Sequence, residues 1–92
     1  MPNNFIISEE LKEIIQKLSK KDNSSAEALN KKIKQIINVE WNSLDHFKNL
    51  RNEMSNYKRV HINKSFVLLF EVDKKQNMVL FHTLKHHDEA YK

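Results

Sequence analysis

Four of the five histidines lie in YKRVHINKSFVLLFEVDKKQNMVLFHTLKHHDEAYK, at positions 61, 82, 86 and 87, and the fifth, His46, follows Asp45 upstream. Imidazole exchanges a proton near neutrality, with an unperturbed pKa of about 6.5, so two histidines held together can supply an acid and a base. His82, His86 and His87 crowd into HTLKHH, which also suggests a metal site. The chain has no cysteine and no helix there to align the three, so a metal-free, cofactor-free site is expected. Each histidine also has an ordinary reading. His46 is then a solvated loop residue, His61 a surface residue on an alternating strand, and His82 a structural residue of an apolar strand.

The elements that must position these groups follow from periodicity. NNFIIS reads as a short strand or an extended lead-in. Ser8 can cap a helix with Glu9 and Glu10 in its first turn, and Leu11, Ile14, Ile15 and Leu18 form one apolar stripe. After the polar turn SKKDNSS, Ser24 and Glu27 have the spacing of a capping box. Leu29, Ile33, Ile36 and Ile37 then mark a second helix that fades near Val39 to Trp41. WNSLDHFKNLRNEMSN has no clean period and reads as a connection with room for a brief strand. YKRVHI alternates, with Lys58, Val60 and Ile62 opposite Tyr57, Arg59 and His61. SFVLLFEV and MVLFHTL are apolar strands, the latter apolar enough to be covered on both faces, and DKKQN is a turn.

The fold class expected is α+β: an N-terminal αα-hairpin packed on a small twisted antiparallel sheet, in one domain over residues 1–92. Between the first two long strands, NK fits a two-residue hairpin with Asn63 at positive φ. That register sets His61 across from Phe66 and Arg59 across from Leu68, with Val60 and Val67 on the face that meets the helices. The face with Arg59 and His61 would be only partly covered.

Sixteen Lys and Arg against twelve Asp and Glu give a net charge of +4. That balance is compatible with nucleic acid and diagnostic of nothing. The lysine pairs at 20–21, 31–32 and 74–75 read as solvated. No apolar run reaches membrane-spanning length and the N-terminus lacks a signal-peptide layout, so a cytoplasmic protein is expected. Phe5, Trp41, Phe47 and Met54 belong either to the core or to a partner interface.

Three stretches carry a family resemblance. LDHFKNLRNEMSNYKRVHI is similar to a segment in which an Asp-His pair leads to an aromatic residue and a basic strand. SFVLLFEVD resembles an aromatic-aliphatic-aromatic central strand ending in an acid. LKHHDEAY resembles a closing His or Arg pair followed by Tyr or Phe. Together they resemble the RelE superfamily of bacterial and archaeal toxins, especially its YafQ-like branch, over nearly the full chain. The resemblance implies a type II toxin that cleaves mRNA on the ribosome without metal and is silenced by a cognate, RelB-like or other, antitoxin protein. By position it implies His61 as base, His87 (or its neighbour His86) as acid, His46 as an orienting or charge-neutralising group, and Tyr91 as a terminal aromatic. Arg59 and Lys85 match basic positions, and Lys58, Phe66 and His86 complete the expected RNA contacts. The chain departs from the pattern in two places. Ser65 and Phe66 stand where YafQ-like members carry Asp and Trp, and Val67 stands where RelE carries Arg. Relatives of the ParE type poison gyrase and cut no RNA, so binding to gyrase, antitoxin or ribosome without cleavage is the alternative. Codon preference is not encoded in any motif.

Overall fold

The computed structural model describes residues 3–50 and 56–90, the last two by main chain alone. Strand β1 (Asn4–Ile7) leads into helices α1 (Glu9–Lys21) and α2 (Asn23–Asn38). A 3₁₀ helix (Trp41–His46) precedes strands β2 (Lys58–Ile62), β3 (Phe66–Asp73) and β4 (Met78–His86), and a single helical turn, α3 (His87–Ala90), follows.

The capping of α1 is as expected. The Ser8 hydroxyl accepts from the Leu11 N–H, acids fill the first turn, and Lys20 and Lys21 the last, the charge order that suits the helix dipole. The cap of α2 differs from expectation. Its N-cap is Asp22 rather than Ser24, and Asp22 is also the C-cap of α1. The Asp22 carboxylate accepts from the Ser25 hydroxyl at 2.6 Å and the Ser25 N–H at 3.1 Å. These two bonds, the hydroxyl's first, hold the Asp22 carboxyl below its ordinary value. Ser25 is buried, and its hydroxyl also accepts from the Asn63 side chain at 3.0 Å. The joint between the helices is thereby tied to the turn between β2 and β3.

The sheet order is β1-β4-β3-β2. The expected antiparallel sheet is present as β2, β3 and β4. β1 adds to it in parallel along β4, a pairing that nothing in the strand's own four residues announces. β4 is thus central, as its apolar content suggests.

The β2–β3 turn corrects the expected register. Asn63 does take a positive φ, 54°, but Ile62 pairs with Phe66, so the loop spans residues 63–65. His61 lies opposite Val67 rather than Phe66, Arg59 opposite Leu69, and Val60 opposite Leu68. A one-residue slip exchanges the two faces of a strand relative to its partner. The two-residue register would have joined Val60 and Ile62 to the face of Val67, Leu69 and Glu71, bringing a carboxylate against the helices. The observed register joins them to Phe66, Leu68, Phe70 and Val72. Burying two phenylalanines instead of a Glu settles the choice, because fully burying one large apolar side chain is worth about 1.5–3 kcal/mol.

On the helix side the core contains Leu11, Leu29, Ile33 and Ile36 against Ile62, Leu68, Phe70, Val79, Phe81 and Leu84, with Leu44 from the 3₁₀ helix. Trp41 and Phe47 pack at its margin, whereas Phe5 is 42 % exposed. Met54 lies outside the described residues. The opposite face carries a smaller cluster of Leu50, Val67, Leu69 and Tyr57. Leu50 reaches it because the 48–50 segment runs beside β2. The Arg59 N–H donates to the Lys48 carbonyl and the Leu50 N–H to the Tyr57 carbonyl, each at 2.8 Å.

Candidate active site

Strand alternation and register order the side chains of the face away from the helices into cross-strand rows. His61, Val67 and Lys85 form one row; Arg59, Leu69 and Thr83 form the next. Val67 and Leu69 are the buried centre of these rows, while His61 is exposed and Arg59 and Lys85 are half-buried. Around that buried centre the face is basic, with Arg59 and Lys85 at its sides. β4 ends at His86, and the chain turns into α3 at His87, whose N–H donates to the Ser65 carbonyl at 2.8 Å. That bond brings the His87 ring over the β2 edge, with its centroid 5.4 Å from that of His61 and the planes inclined by 33°. The His87 Nδ1 lies 3.9 Å from the Asp88 carboxylate. Two imidazoles at this spacing, open to solvent and flanked by Arg59 and Lys85, can take a proton from one oxygen and give one to another across a bound phosphodiester.

The structure separates the other expected site residues from this pair. His86 points to the helix side, where its ring stacks on Phe66 with centroids 4.9 Å apart. Both line a cleft under α1 with Ile14 and Leu18. His87, not His86, therefore faces His61, and Phe66 lies on the opposite face. Lys58 belongs to the core-facing set of β2 and is 8 % exposed. Its Nζ donates to the Phe47 carbonyl at 3.2 Å and to the Asn49 side chain at 3.0 Å, so its charge serves the 47–49 segment. His46 ends the 3₁₀ helix, and its neighbour Asp45 pairs at 3.3 Å with Lys74 in the β3–β4 turn. That is the far end of β3 from Val67, roughly 20 Å away at about 3.3 Å per residue. Tyr91 lies outside the described residues.

Two further residues of this face were not expected at the site. Tyr57 shares the face of Arg59 and His61 by alternation, a signal available in YKRVHI. His82 is the extra residue of a β-bulge, since Phe70 pairs with Phe81 and Leu69 with Thr83. The bulge turns His82 toward Tyr57, with ring centroids 4.8 Å apart and nearly perpendicular, and sets its Nε2 3.3 Å from Glu71 Oε1. The histidines of HTLKHH thus go to three different places.

A helical hairpin laid across a small twisted sheet is the architecture of the RelE and YafQ toxins. YafQ from Escherichia coli superposes with a TM-score of 0.73 at 13 % identity, covering 98 % of this chain and 99 % of that one. YafQ in complex with DinJ, a toxin–antitoxin complex, gives 0.71 at 14 % identity over the whole of both chains. A family model described as the ParE toxin of the type II toxin-antitoxin system parDE matches residues 7–91. A Methanocaldococcus jannaschii protein named RelE4, described there as a candidate toxin, is 45 % identical over 82 residues, spanning 89 % of this chain and 83 % of its own. The chain belongs to this RelE/ParE family of type II toxins.

Proposed function

We propose that this toxin is an endoribonuclease that cuts mRNA on the ribosome and is held silent by a cognate antitoxin. The observation that carries the reading is the His61–His87 pair, 5.4 Å between ring centroids, on the face that also presents Arg59 and Lys85. His61 takes the proton from a ribose 2′-OH as that oxygen bonds to the adjacent phosphorus. His87 gives a proton to the departing 5′ oxygen as its bond to phosphorus breaks. The products are a 2′,3′-cyclic phosphate and a 5′-OH. Lys85 and Arg59 neutralise charge on the pentacoordinate phosphorus, with Lys85 beside Val67, where RelE carries its Arg.

The test is cleavage of mRNA on translating ribosomes with fragment 3′ ends identified. Wild type should leave cyclic phosphates, and His61→Ala or His87→Ala should reduce the rate by about 10²-fold or more. Folded wild-type protein that leaves mRNA intact would overturn the reading. The ParE description of the matching family favours one competing reading, poisoning of gyrase by binding alone. Under that reading both variants arrest growth as wild type does.

A further inference from the structure

An acid and a base work together only while something holds their rings in place. His61 lies two residues before Asn63 in the β2–β3 turn, and His87 is bound to that turn, its N–H donating to the Ser65 carbonyl at 2.8 Å. The turn over residues 63–65 thus joins both histidines. Asn63, Lys64 and Ser65 are all exposed, so apolar burial does not fix it. A chain of hydrogen bonds does. The Asn63 side-chain amide donates to the Ser25 hydroxyl oxygen at 3.0 Å. The Ser25 hydroxyl donates in turn to the Asp22 carboxylate at 2.6 Å, which leaves its oxygen lone pairs for Asn63. Ser25 is only 5 % exposed, and Asp22 caps both α1 and α2, so the anchor is itself held by two helices.

Resting on the ribonuclease reading, we propose that Asn63 and Ser25 are positioning residues of the histidine pair: the Asp22–Ser25–Asn63 bonds clamp the 63–65 turn, and the clamped turn sets where His87 stands relative to His61. Neither residue touches RNA in this scheme. Each acts through the Ser65 carbonyl, whose place depends on the turn. With the clamp released, the turn is free to shift and the His87 ring shifts with it. Misplacing a catalytic group by about 1 Å can cost 10²-fold in rate, and a turn still closed by the strand pair Ile62–Phe66 moves less than that. The expected loss is therefore about tenfold. It falls on kcat alone, because Arg59 and Lys85 are held by strand pairing with Leu69 and Val67 and not by the turn.

The experiment compares wild type, Asn63→Gly, Ser25→Ala, their double variant and Lys58→Met, at a temperature where circular dichroism shows each one folded. It measures kcat and KM for mRNA cleavage on ribosomes. On the protein without RNA it measures the His61–His87 ring-to-ring nuclear Overhauser effect and the exchange rate of the His87 amide. Asn63→Gly keeps the positive φ and loses the donor; Ser25→Ala loses the acceptor. Each should lower kcat about tenfold at unchanged KM, weaken the ring contact and speed the amide exchange. The double variant should be no slower than Ser25→Ala, since both changes break the same bond. Lys58→Met, which destabilises the other end of β2, should keep the wild-type kcat. Unchanged kcat with an intact ring contact in both single variants, losses that multiply in the double variant, or an equal loss in Lys58→Met overturns the clamp and leaves the ribonuclease reading standing. If folded wild type cuts nothing, the ribonuclease reading falls, and the ring contact and amide exchange alone decide the clamp.

Discussion

Replacing Lys58 by Met keeps the aliphatic stem and removes the ammonium. The Phe47 carbonyl and the Asn49 side-chain oxygen each lose a donor, at 3.2 and 3.0 Å. Both bonds are partly buried, and a hydrogen bond to a charged group is worth about 1.5–3 kcal/mol. Some water will reach the vacated acceptors, and the hydrophobic gain of the methionine offsets part of the loss. A net loss of about 2 kcal/mol follows. For a chain of 92 residues, each kcal/mol moves Tm by about 4–8 °C, so Tm should fall by roughly 10 °C. The assay is thermal and urea unfolding followed by circular dichroism, run beside Lys85→Met. Lys85 is half-buried on the histidine face and, among the described residues, has no hydrogen bond of this kind, so its variant should keep its Tm within about 2 °C and lose cleavage. Loss of cleavage by Lys58→Met with an unchanged Tm would refute the reasoning, since it would place Lys58 on RNA after all.

Other consequences are as specific. Asn63→Ala should be less stable than Asn63→Gly by about 1 kcal/mol in urea titrations. Both lose the bond to Ser25, but only alanine meets the Cβ clash of the left-handed conformation. The Asp22 carboxyl is held below its ordinary value of 3.8, so its ionised form stabilises the fold above that pH. This contribution fades as pH falls through the lower folded value, and Asp22→Asn, which keeps a good cap, should show a shallower loss of Tm below pH 3.8 than wild type. Cleavage by wild type should have a bell-shaped pH dependence in kcat/KM, with one base and one acid. Substituting either His61 or His87 should remove a limb along with most of the rate.

Much of the fold was legible because its signals are local. The apolar stripes of α1 and α2, the Ser8 cap and the alternation in YKRVHI need only neighbours within a turn or a strand. What was missed depends on distant residues. Asp22 and Ser24 are equally good caps in isolation, and the choice between them reflects Ser25 being buried and bound to Asn63 across the fold. The β2–β3 turn was expected to span two residues, and it spans three because the volumes of Phe66, Leu68 and Phe70 outweigh burying Glu71. The same slip moved Phe66 away from His61. Alternation had already grouped Lys58 with Val60 and Ile62, so its interior position was readable, yet its charge suggested RNA. The face of His82 could not be read from alternation, because a bulge opposite Leu69 and Phe70 interrupts it and no residue in MVLFHTL marks the bulge.

The parallel pairing of β1 with β4 joins Asn4 to Met78, residues 74 positions apart in the chain. Closing so long a loop is entropically slow, and such non-local contacts place folding toward the millisecond-to-second range. Until β4 docks, β2 and β3 form a lone hairpin, which is marginal in water, and the helices have only that hairpin to cover them. His61 and His87 come from opposite sides of that event. The two rings stay together only while β4 is paired with β3. Opening of β4 alone would dismantle the pair as completely as global unfolding does. Hydrogen-exchange protection along Met78–His86 would then track the fraction of chains that hold an assembled site.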